Sequence, residues 1–367
     1  MNLIDLGYGD YFKEQFEKLK NKELIPARVS CEQRNIFTVL TEQGEFPAEV
    51  TGKFRHETKS RGDYPNVGDW VAVKLAPQGD IAQIHHLLER KTVFSRKAVL
   101  AGGPKGGEGK TEQQVMAANV DTAFLVSGLD NEFNLRRIER YLAVTWDSGA
   151  NPVIVLNKSD MCEDIESVVS DVESIAMGIP TLPVSAINED GVASLSPYLE
   201  PGKTVVFLGS SGVGKSTLIN KILGEERQVT NDVREMDSRG RHTTTYRELI
   251  PIPDGGLLID TPGMREIQMW GDEESLKKAF DDIEALAEAC RFNDCEHDTE
   301  PGCAVKQAIQ DGTLKEDRFK NYRKQQRELI SLNMRKSDRA RHLERIQGKK
   351  MAVMIKEVQK NKQNRRK

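Results

Sequence analysis

One segment of the chain carries the residues of a phosphate-binding loop. GSSGVGKST, from Gly209 to Thr217, follows an apolar segment, precedes a helical pattern and fits the consensus G-x-x-x-x-G-K-[ST]. Its glycines let backbone N–H groups face phosphate oxygens, while Lys215 can reach the β- and γ-phosphates and Ser216 can bind Mg²⁺. A glycine-rich turn without a ligand is the alternative. The predicted phosphate-binding residues are Gly209, Ser210, Ser211, Gly212, Val213, Gly214, Lys215, Ser216 and Thr217.

A second segment, NKSD, has the residues that distinguish guanine from adenine. The carboxylate of Asp160 can accept hydrogen bonds from guanine N1–H and the 2-amino group, and adenine has neither donor there. Asn157 can contact the other edge of the base, and the aliphatic stem of Lys158 can cover the ring. Four residues at a strand end can also match by chance. We predict that the base is read by Asn157, Lys158, Ser159 and Asp160.

Two further strand ends complete a predicted pocket. The strand after NKSD ends in VSA, Val184 to Ala186, where Ser185 and a backbone amide near Ala186 could hold the base oxygen. Another ends in DTPG, whose Asp260 could hold Mg²⁺ through water and whose Gly263 could sense the γ-phosphate. Ligands of open α/β sheets bind outside the carboxyl ends of the strands. These segments therefore predict one guanine-nucleotide pocket.

The linear order of these motifs is unusual. Base loop, base loop, phosphate loop, switch and metal loop follow one another, whereas the phosphate loop usually comes first. The order predicts a circularly permuted P-loop GTPase domain, which is tolerated because ligands converge from strand ends regardless of chain order. The segment after DTPG then leads directly into the C-terminal region, so nucleotide state could move that region as a unit.

A cysteine-rich segment, CRFNDCEHDTEPGC, indicates a metal site. It supplies four candidate ligands: Cys290, Cys295, His297 and Cys303. Three thiolates and one imidazole complete a tetrahedral shell around Zn²⁺ and leave no position for water, which predicts one structural site. Buried free thiols beside a surface histidine are the alternative. Cys31 and Cys162 stand alone and are interpreted as core or incidental thiols.

Composition limits the class of protein. With 367 residues, 38% of them hydrophobic and 30% charged, the chain suits a globular protein of two or three domains. It has no run of about 18 apolar residues that predicts a membrane span, and its start lacks the pattern of a secretory signal. Five cysteines, an odd number, argue against a disulfide framework. We expect a cytoplasmic protein without a membrane partner.

The net charge of −4 conceals a basic end. Residues 306–367 carry 20 Lys and Arg against 7 Asp and Glu, whereas the rest of the chain carries 33 against 50. An acidic body with a basic tail points to a polyanionic partner. A solubilising or disordered tail is the alternative.

The elements that position these residues fall into successive regions. Five short alternating segments predict an N-terminal OB-fold β-barrel, with any small β domain as the alternative. AGGPKGGEGK indicates a flexible linker, and apolar strands alternating with amphipathic helices predict a parallel α/β domain. The predicted regions are an N-terminal extension at 1–23, the OB-fold domain at 24–100, the linker at 101–114, the GTPase domain at 115–272, a helical zinc-binding domain at 273–330 and the basic tail at 331–367.

The order of NKSD, VSA, GSSGVGKST, GRHTTT, DTPG and the cysteine-rich segment resembles a known family, the circularly permuted, small-ribosomal-subunit-dependent GTPases called RsgA or YjeQ. VGDWV followed by ERKTVFSRK resembles that family's OB domain, and AANVD resembles its junction into the GTPase domain. The resemblance covers about residues 25 to 330. It implies a bacterial GTPase, acting as a monomer, that binds the 30S subunit late in assembly. It further implies contact with 16S rRNA near the decoding region, GTP hydrolysis stimulated by the subunit, and release.

The residues that would perform hydrolysis are less evident. Many GTPases orient the attacking water with a Gln just after the metal-loop glycine, but DTPGMRE places Met264 there. His242 in GRHTTT resembles the family's proposed catalytic histidine, with an RNA-facing or switch-stabilising role as the alternative. Thr243 or Thr244 could supply a switch ligand to Mg²⁺. The second functional hypothesis is an RNA-binding module that uses the nucleotide as a structural ligand or stringent-response signal.

Overall fold

The computed structural model describes residues 2–33, 36–58, 60–76, 81–100, 110–130, 133–225, 247–260 and 273–330. The chain divides into two units: Met1–Trp270 with Lys277–Asp281, and Gly271–Leu276 with Asp282–Lys367. No helix in the described ranges has the length and apolar character needed to cross a lipid bilayer.

Five strands at the start of the first unit close into a barrel. They are β1 (Ile25–Gln33), β2 (Ile36–Thr41), β3 (Gly44–Val50), β4 (Trp70–Lys74) and β5 (Ala82–Leu87). The order is β1-β2-β3-β5-β4, and β4 pairs back to β1 to close the ring. Alternate residues such as Val29, Phe37 and Ile84 fill the interior, as strands with one buried face require. The predicted OB-fold barrel is confirmed.

The N-terminal residues are tied to this barrel through one buried cation. Helix α1 (Asp10–Glu17) lies in the lead-in, and helix α2 (Gly52–Glu57) follows β3. The guanidinium of Arg28 on β1 donates hydrogen bonds to three main-chain carbonyl oxygens, those of Leu6, Gly68 and Asn119. Burial lowers the pKa of Arg28 to about 10. The Arg28 side chain therefore links the N-terminal residues, the barrel and the chain that enters the next domain.

A two-stranded antiparallel hairpin follows the barrel. It consists of β6 (Val93–Leu100) and β7 (Lys110–Ala118), and β6 pairs with no barrel strand among the described residues. Residues 110–114, predicted as part of a linker, belong to β7, while 101–109 lie outside the described residues. The Gly/Lys-rich composition that indicated a linker ends at Lys110, and the following TEQQVMAA includes β-branched residues that favour strands.

The remaining strands form a mostly parallel sheet. They are β8 (Thr122–Gly128), β9 (Asn151–Asn157), β10 (Thr181–Pro183), β11 (Thr204–Leu208), β12 (Glu248–Pro251) and β13 (Leu257–Asp260). The order is β10-β9-β8-β11-β13-β12, with β12 antiparallel to β13. Cys31 of β1 lies opposite Glu248 of β12, so the barrel and this sheet are hydrogen-bonded to each other.

Helices cover the parallel strands. They are α3 (Leu135–Ser148), α4 (Ile165–Glu173) and α5 (Lys215–Leu223). Helix α3 begins where the Asn134 side chain accepts the N–H of Arg136, and it ends at Gly149 with a left-handed φ of 83°. The continuous apolar runs that predicted a covered sheet form its core, which includes Phe124 and Val155. The predicted α/β domain is confirmed.

Helices make up most of the described residues 273–330, of which Lys277–Asp281 are assigned to the first unit and the others to the second. The helices with described residues are α6 (Glu273–Ala279), α7 (Asp281–Glu288), α8 (Ala304–Gln310) and α9, residues 316–330. Arg318 on α9 forms a two-pronged ion pair with Asp282, at 2.7 and 2.5 Å. The Tyr322 hydroxyl donates to Glu284 Oε1 at 2.8 Å. These contacts join α9 to α7.

Candidate functional site

The predicted phosphate loop is a tight turn between β11 and α5. Gly212 and Gly214 have φ angles of 84° and 91°, in the left-handed region that favours glycine. A Cβ atom on Gly214 would lie 2.2 Å from Asn157 Nδ2, whereas one on Gly212 would meet nothing within 4 Å. Helix α5 begins at Lys215, so its N–H groups and positive dipole end open toward this turn. The loop can therefore accept an anion.

Two cationic side chains contact the loop itself. Lys215 Nζ donates to the main-chain oxygens of Gly209 at 2.8 Å and Ser210 at 2.5 Å. From the first turn of α3, Arg137 Nη1 donates to the Ser210 hydroxyl at 2.7 Å. Lys215 was selected from the sequence and Arg137 was not. The signal for Arg137 was its place in the helix that follows β8.

Asn157 joins the phosphate loop to both predicted base loops. It ends β9 and is buried. Its Nδ2 donates to the Val213 carbonyl at 2.8 Å, and its Oδ1 accepts the N–H of Ala186 at 3.1 Å. The sequence indicated a contact with the base, whereas in the structure both ends of the amide bind the protein. Asn157 therefore positions the phosphate loop and the VSA segment.

The side chains of Asp160 and Lys158 also have partners. The Ser185 hydroxyl donates to Asp160 Oδ1 at 2.5 Å, and Asp160 is exposed. Lys158 has a left-handed φ of 63°, and its Nζ lies 2.5 Å from Asp130 Oδ2. Asp130 was not selected from the sequence, although its place just after β8 is the same type of signal that selected NKSD. These contacts orient the Asp160 carboxylate and the Lys158 stem.

The predicted metal loop begins at the same edge of the sheet. Asp260 is the last residue of β13, which runs parallel to β11. Ser216 and Thr217 lie in the first turn of α5, and both are partly buried. Several predicted residues lie outside the described part of the chain: His242, Thr243, Thr244, Gly263 and Met264.

The four candidate zinc ligands converge in the second unit. Their ligand atoms all lie within 4.8 Å of one another. Cys290 Sγ lies 3.8 Å from Cys303 Sγ, and His297 Nδ1 lies 3.6 and 3.4 Å from these two sulfurs. Tetrahedral Zn²⁺ with Zn–S bonds of about 2.3 Å places its ligand atoms about 3.8 Å apart. The cluster, completed by Cys295, has the size and donor set that zinc requires.

Comparison with known proteins bears on both sites. The sequence matches the model of the family described as RsgA GTPase over residues 87–270. It is 48% identical over 337 residues to the small ribosomal subunit biogenesis GTPase RsgA of Opitutus terrae, covering 89% of this chain and 90% of that protein. The chain belongs to the RsgA GTPase family. It is therefore a GTP hydrolase, as the motifs predicted.

Solved structures of similar proteins agree with RsgA membership. YjeQ from Thermotoga maritima is 29% identical, with a TM-score of 0.60 over 84% of this chain and 99% of that chain. YloQ, described as a circularly permuted GTPase, is 25% identical, with a TM-score of 0.59 over 84% of this chain and 96% of that chain. A second family model, described as a 50S ribosome-binding GTPase, matches residues 204–347. The circular permutation predicted from motif order is confirmed.

Proposed function

We propose that this RsgA GTPase acts in late maturation of the small ribosomal subunit, hydrolysing GTP when bound to the subunit and leaving afterwards. The observation that carries the proposal is the Asn157 amide, which joins the phosphate loop and the base loops into one pocket. The relatives' name, small ribosomal subunit biogenesis GTPase, supplies the target.

In this proposal the guanine base is held by the two base loops. Asp160 accepts the base N1–H and 2-amino group, and Ser185 holds the carboxylate in the direction that this requires. The stem of Lys158 covers the ring, with its ammonium fixed by Asp130. A backbone amide near Ala186 would hold the base oxygen, with the N–H of Ala186 itself shared with Asn157 Oδ1, while Ser159 shapes the turn between Lys158 and Asp160.

The phosphates are held by the loop from Gly209 to Thr217 and by Lys215. Arg137 keeps Ser210 in place. Ser216 and Asp260 would hold Mg²⁺, which neutralises charge on the β- and γ-phosphates. Gly263 would sense the γ-phosphate.

Hydrolysis transfers the γ-phosphoryl group to water and yields GDP and phosphate. We assign orientation of that water to His242, and the switch ligand of Mg²⁺ to Thr243 or Thr244. Replacing His242 by Ala should lower subunit-stimulated turnover by about 10²- to 10⁴-fold, the usual contribution of a positioned acid or base. GDP affinity should stay the same. Full stimulated turnover in the variant would remove this assignment and leave the GTPase activity in place.

The other regions have complementary roles. Cys290, Cys295, His297 and Cys303 hold one structural Zn²⁺ in a domain that we propose spans 273–330. This domain and the barrel contact 16S rRNA near the decoding region, and the tail at 331–367 adds phosphate contacts that read no sequence. The protein acts as a monomer in the cytoplasm, where ribosomal subunits mature.

The decisive measurement is GTP turnover over a titration of isolated 30S subunits. We expect slow intrinsic turnover that rises with subunit concentration. Protein truncated before Ser331 should need more subunits to reach the same rate. Turnover that stays flat across the titration would contradict the proposal and favour the RNA-binding module that uses the nucleotide as a signal.

A further inference from the structure

A cleft of about 280 Å³ lies where the barrel, the β6–β7 hairpin and β12 come together. One wall is formed by Thr58, Ser60, Arg61 and residues 64–66, between α2 and β4. The opposite wall includes Gln114 of β7 and Arg247, the residue directly before β12. The cleft is separate from the nucleotide pocket, and it shares none of that pocket's residues.

Arg247 is a partly buried cation in this cleft. Its Nη1 donates to the Val115 carbonyl at 2.8 Å, and among the described residues it has no ion pair with a carboxylate. Burial lowers the pKa of Arg247, with Glu32 opposing the shift and the like charges of Arg96 and Arg61 adding to it. Removing a guanidinium from water without a counter-ion is costly. The position therefore favours an anion.

Two further arginines make the cleft strongly positive. Arg61 lines it, is exposed, and has no side-chain partner among the described residues. Arg96 is near enough to affect Arg247 and donates to Gln114 Oε1 at 3.0 Å. Glu32 is the single carboxylate among the residues that line the cleft. Two cations, Arg61 and Arg247, therefore line the cleft with one carboxylate, and Arg96 adds positive charge beside it.

The wall that carries Arg61 is rigidly held. Arg90 binds the buried Asp69 at 2.8 and 2.7 Å and also donates to the carbonyls of Gly62 at 2.7 Å and Tyr64 at 2.9 Å. The Ser60 hydroxyl accepts the N–H of Gly62 at 3.2 Å. This turn is therefore set before a ligand arrives, which reduces the ordering cost of binding.

We propose that the cleft binds a backbone phosphate of RNA between Arg61 and Arg247. The inference rests on the proposed function, because a ribosomal subunit is the source of RNA phosphates. Guanidinium groups match the oxygens of a phosphate in two-pronged geometry. Such a contact adds affinity and register but reads no base.

The location of Arg247 gives this contact a second consequence. Arg247 directly follows residues 226–246, the segment that holds GRHTTT, and Cys31 of the barrel pairs with the next residue, Glu248. Any coupling between nucleotide binding and phosphate binding at Arg247 is reciprocal, so a nucleotide state that strengthens phosphate binding is favoured in turn by bound phosphate.

The test compares Arg61→Gln with Lys74→Gln, which removes the same charge from the barrel outside the cleft. Lys74 forms an exposed ion pair with Glu23, so its loss costs little stability. Binding of the GTP-loaded proteins to isolated 30S subunits is measured by sedimentation over a series of KCl concentrations. Arg61→Gln should weaken binding several-fold more than Lys74→Gln. It should also reduce the slope of log affinity against log salt by about 0.7 to 0.9, the effect of one lost phosphate contact.

Three outcomes would each overturn one assignment: the cleft, the proposed function, or RNA as the occupant of the cleft. Equal affinity and slope for the two variants, with wild-type protein still bound and stimulated, would overturn the cleft assignment alone. Wild-type protein that neither binds nor responds to subunits would overturn the proposed function instead. Stabilisation by inorganic phosphate that Arg61→Gln loses, with subunit binding unchanged, would assign the cleft to a free anion and overturn RNA as its occupant. An Arg247→Gln protein that keeps its melting temperature should repeat the effect of Arg61→Gln.

Discussion

The nucleotide pocket collects residues from strands far apart in the chain, whereas the Cys/His cluster takes its four candidate ligands from residues 290–303. In the pocket, the Asn157 amide bridges Val213 and Ala186 above a buried apolar core. In the cluster, residues 290–303 form turns and bends without a regular helix or strand, and Cys303 is the buried thiol. The sheet therefore shapes the pocket, whereas a metal held by four such ligands would contribute directly to the shape of the cluster.

The largest effect should come from removing a ligand of the cluster. Cys303→Ser should abolish bound zinc and unfold the segment around the cluster, because structural zinc binding contributes about 10 kcal/mol or more. Metal analysis and circular dichroism would measure both changes, and GDP affinity should remain at the wild-type level. Cys162→Ser, at a lone thiol, is the control. A Cys303→Ser protein with full zinc content would remove the assigned ligand set.

The second largest effect should come from replacing a glycine of the phosphate loop, and it tests whether the Asn157 bridge stabilises the pocket. Gly214→Ala should destabilise the nucleotide-free protein by about 2 to 4 kcal/mol, since it combines left-handed strain with displacement of Asn157. Gly212→Ala has a similar φ and no close neighbour, so it should cost about 1 kcal/mol. The melting temperatures of the two variants are compared by thermal unfolding without nucleotide. Equal melting temperatures would mean that the Asn157 bridge contributes nothing to the pocket.

A smaller effect is expected on guanine-nucleotide affinity when the base-reading carboxylate is changed. Asp160→Asn should weaken guanine-nucleotide binding about 10- to 100-fold, because a hydrogen bond to a charged group is worth about 1.5 to 3 kcal/mol. The variant should gain affinity for xanthine nucleotides, whose 2-oxo group can accept from the new amide. Asp164→Asn, at the N-cap of α4, is the nearby control because asparagine caps helices equally well. Unchanged guanine preference in Asp160→Asn would exclude NKSD as the reader.

The smallest expected change is a loss of GDP affinity when the ion-pair partner of Lys158 is removed. Asp130→Asn removes the ion pair at 2.5 Å, and pairs of this kind contribute up to about 1 kcal/mol. GDP affinity should fall by a factor of about 2 to 5. Lys221→Gln, which breaks the exposed pair with Glu189, should leave it unchanged. A loss beyond tenfold for Asp130→Asn would indicate direct contact between Asp130 and the nucleotide.

Motifs at strand ends carried most of the sequence prediction. NKSD, VSA and GSSGVGKST each stand directly after an apolar run, and one parallel sheet brings such ends together. Residues that act through other residues were missed. Arg137 and Asp130 belong to no motif, and their contacts with Ser210 and Lys158 depend on how α3 and β8 meet the pocket. Their places after β8 were a signal, but a single sequence does not show which distant residues such side chains contact.

The β6–β7 hairpin is a second feature that could not be predicted from the sequence. Glycines and lysines around residue 105 indicated a linker, but composition does not reveal that the flanking segments pair as β6 and β7. The Arg28 anchor was equally hidden, since an isolated arginine in a strand does not indicate three carbonyl partners from distant loops. Both features arise from long-range pairing, which local patterns do not record.

The place of β11 in the sheet has a consequence for synthesis on the ribosome. A nascent chain folds from its N-terminus as it emerges. Strands β8, β9 and β10 can pair as soon as they appear, but the partner on the other side of β8 is β11, which emerges only after residues 129–203. Until then β8 is an apolar edge strand, and such edges attract other chains. In the permuted order this edge of β8 stays open to other chains until the phosphate-loop strand has been made.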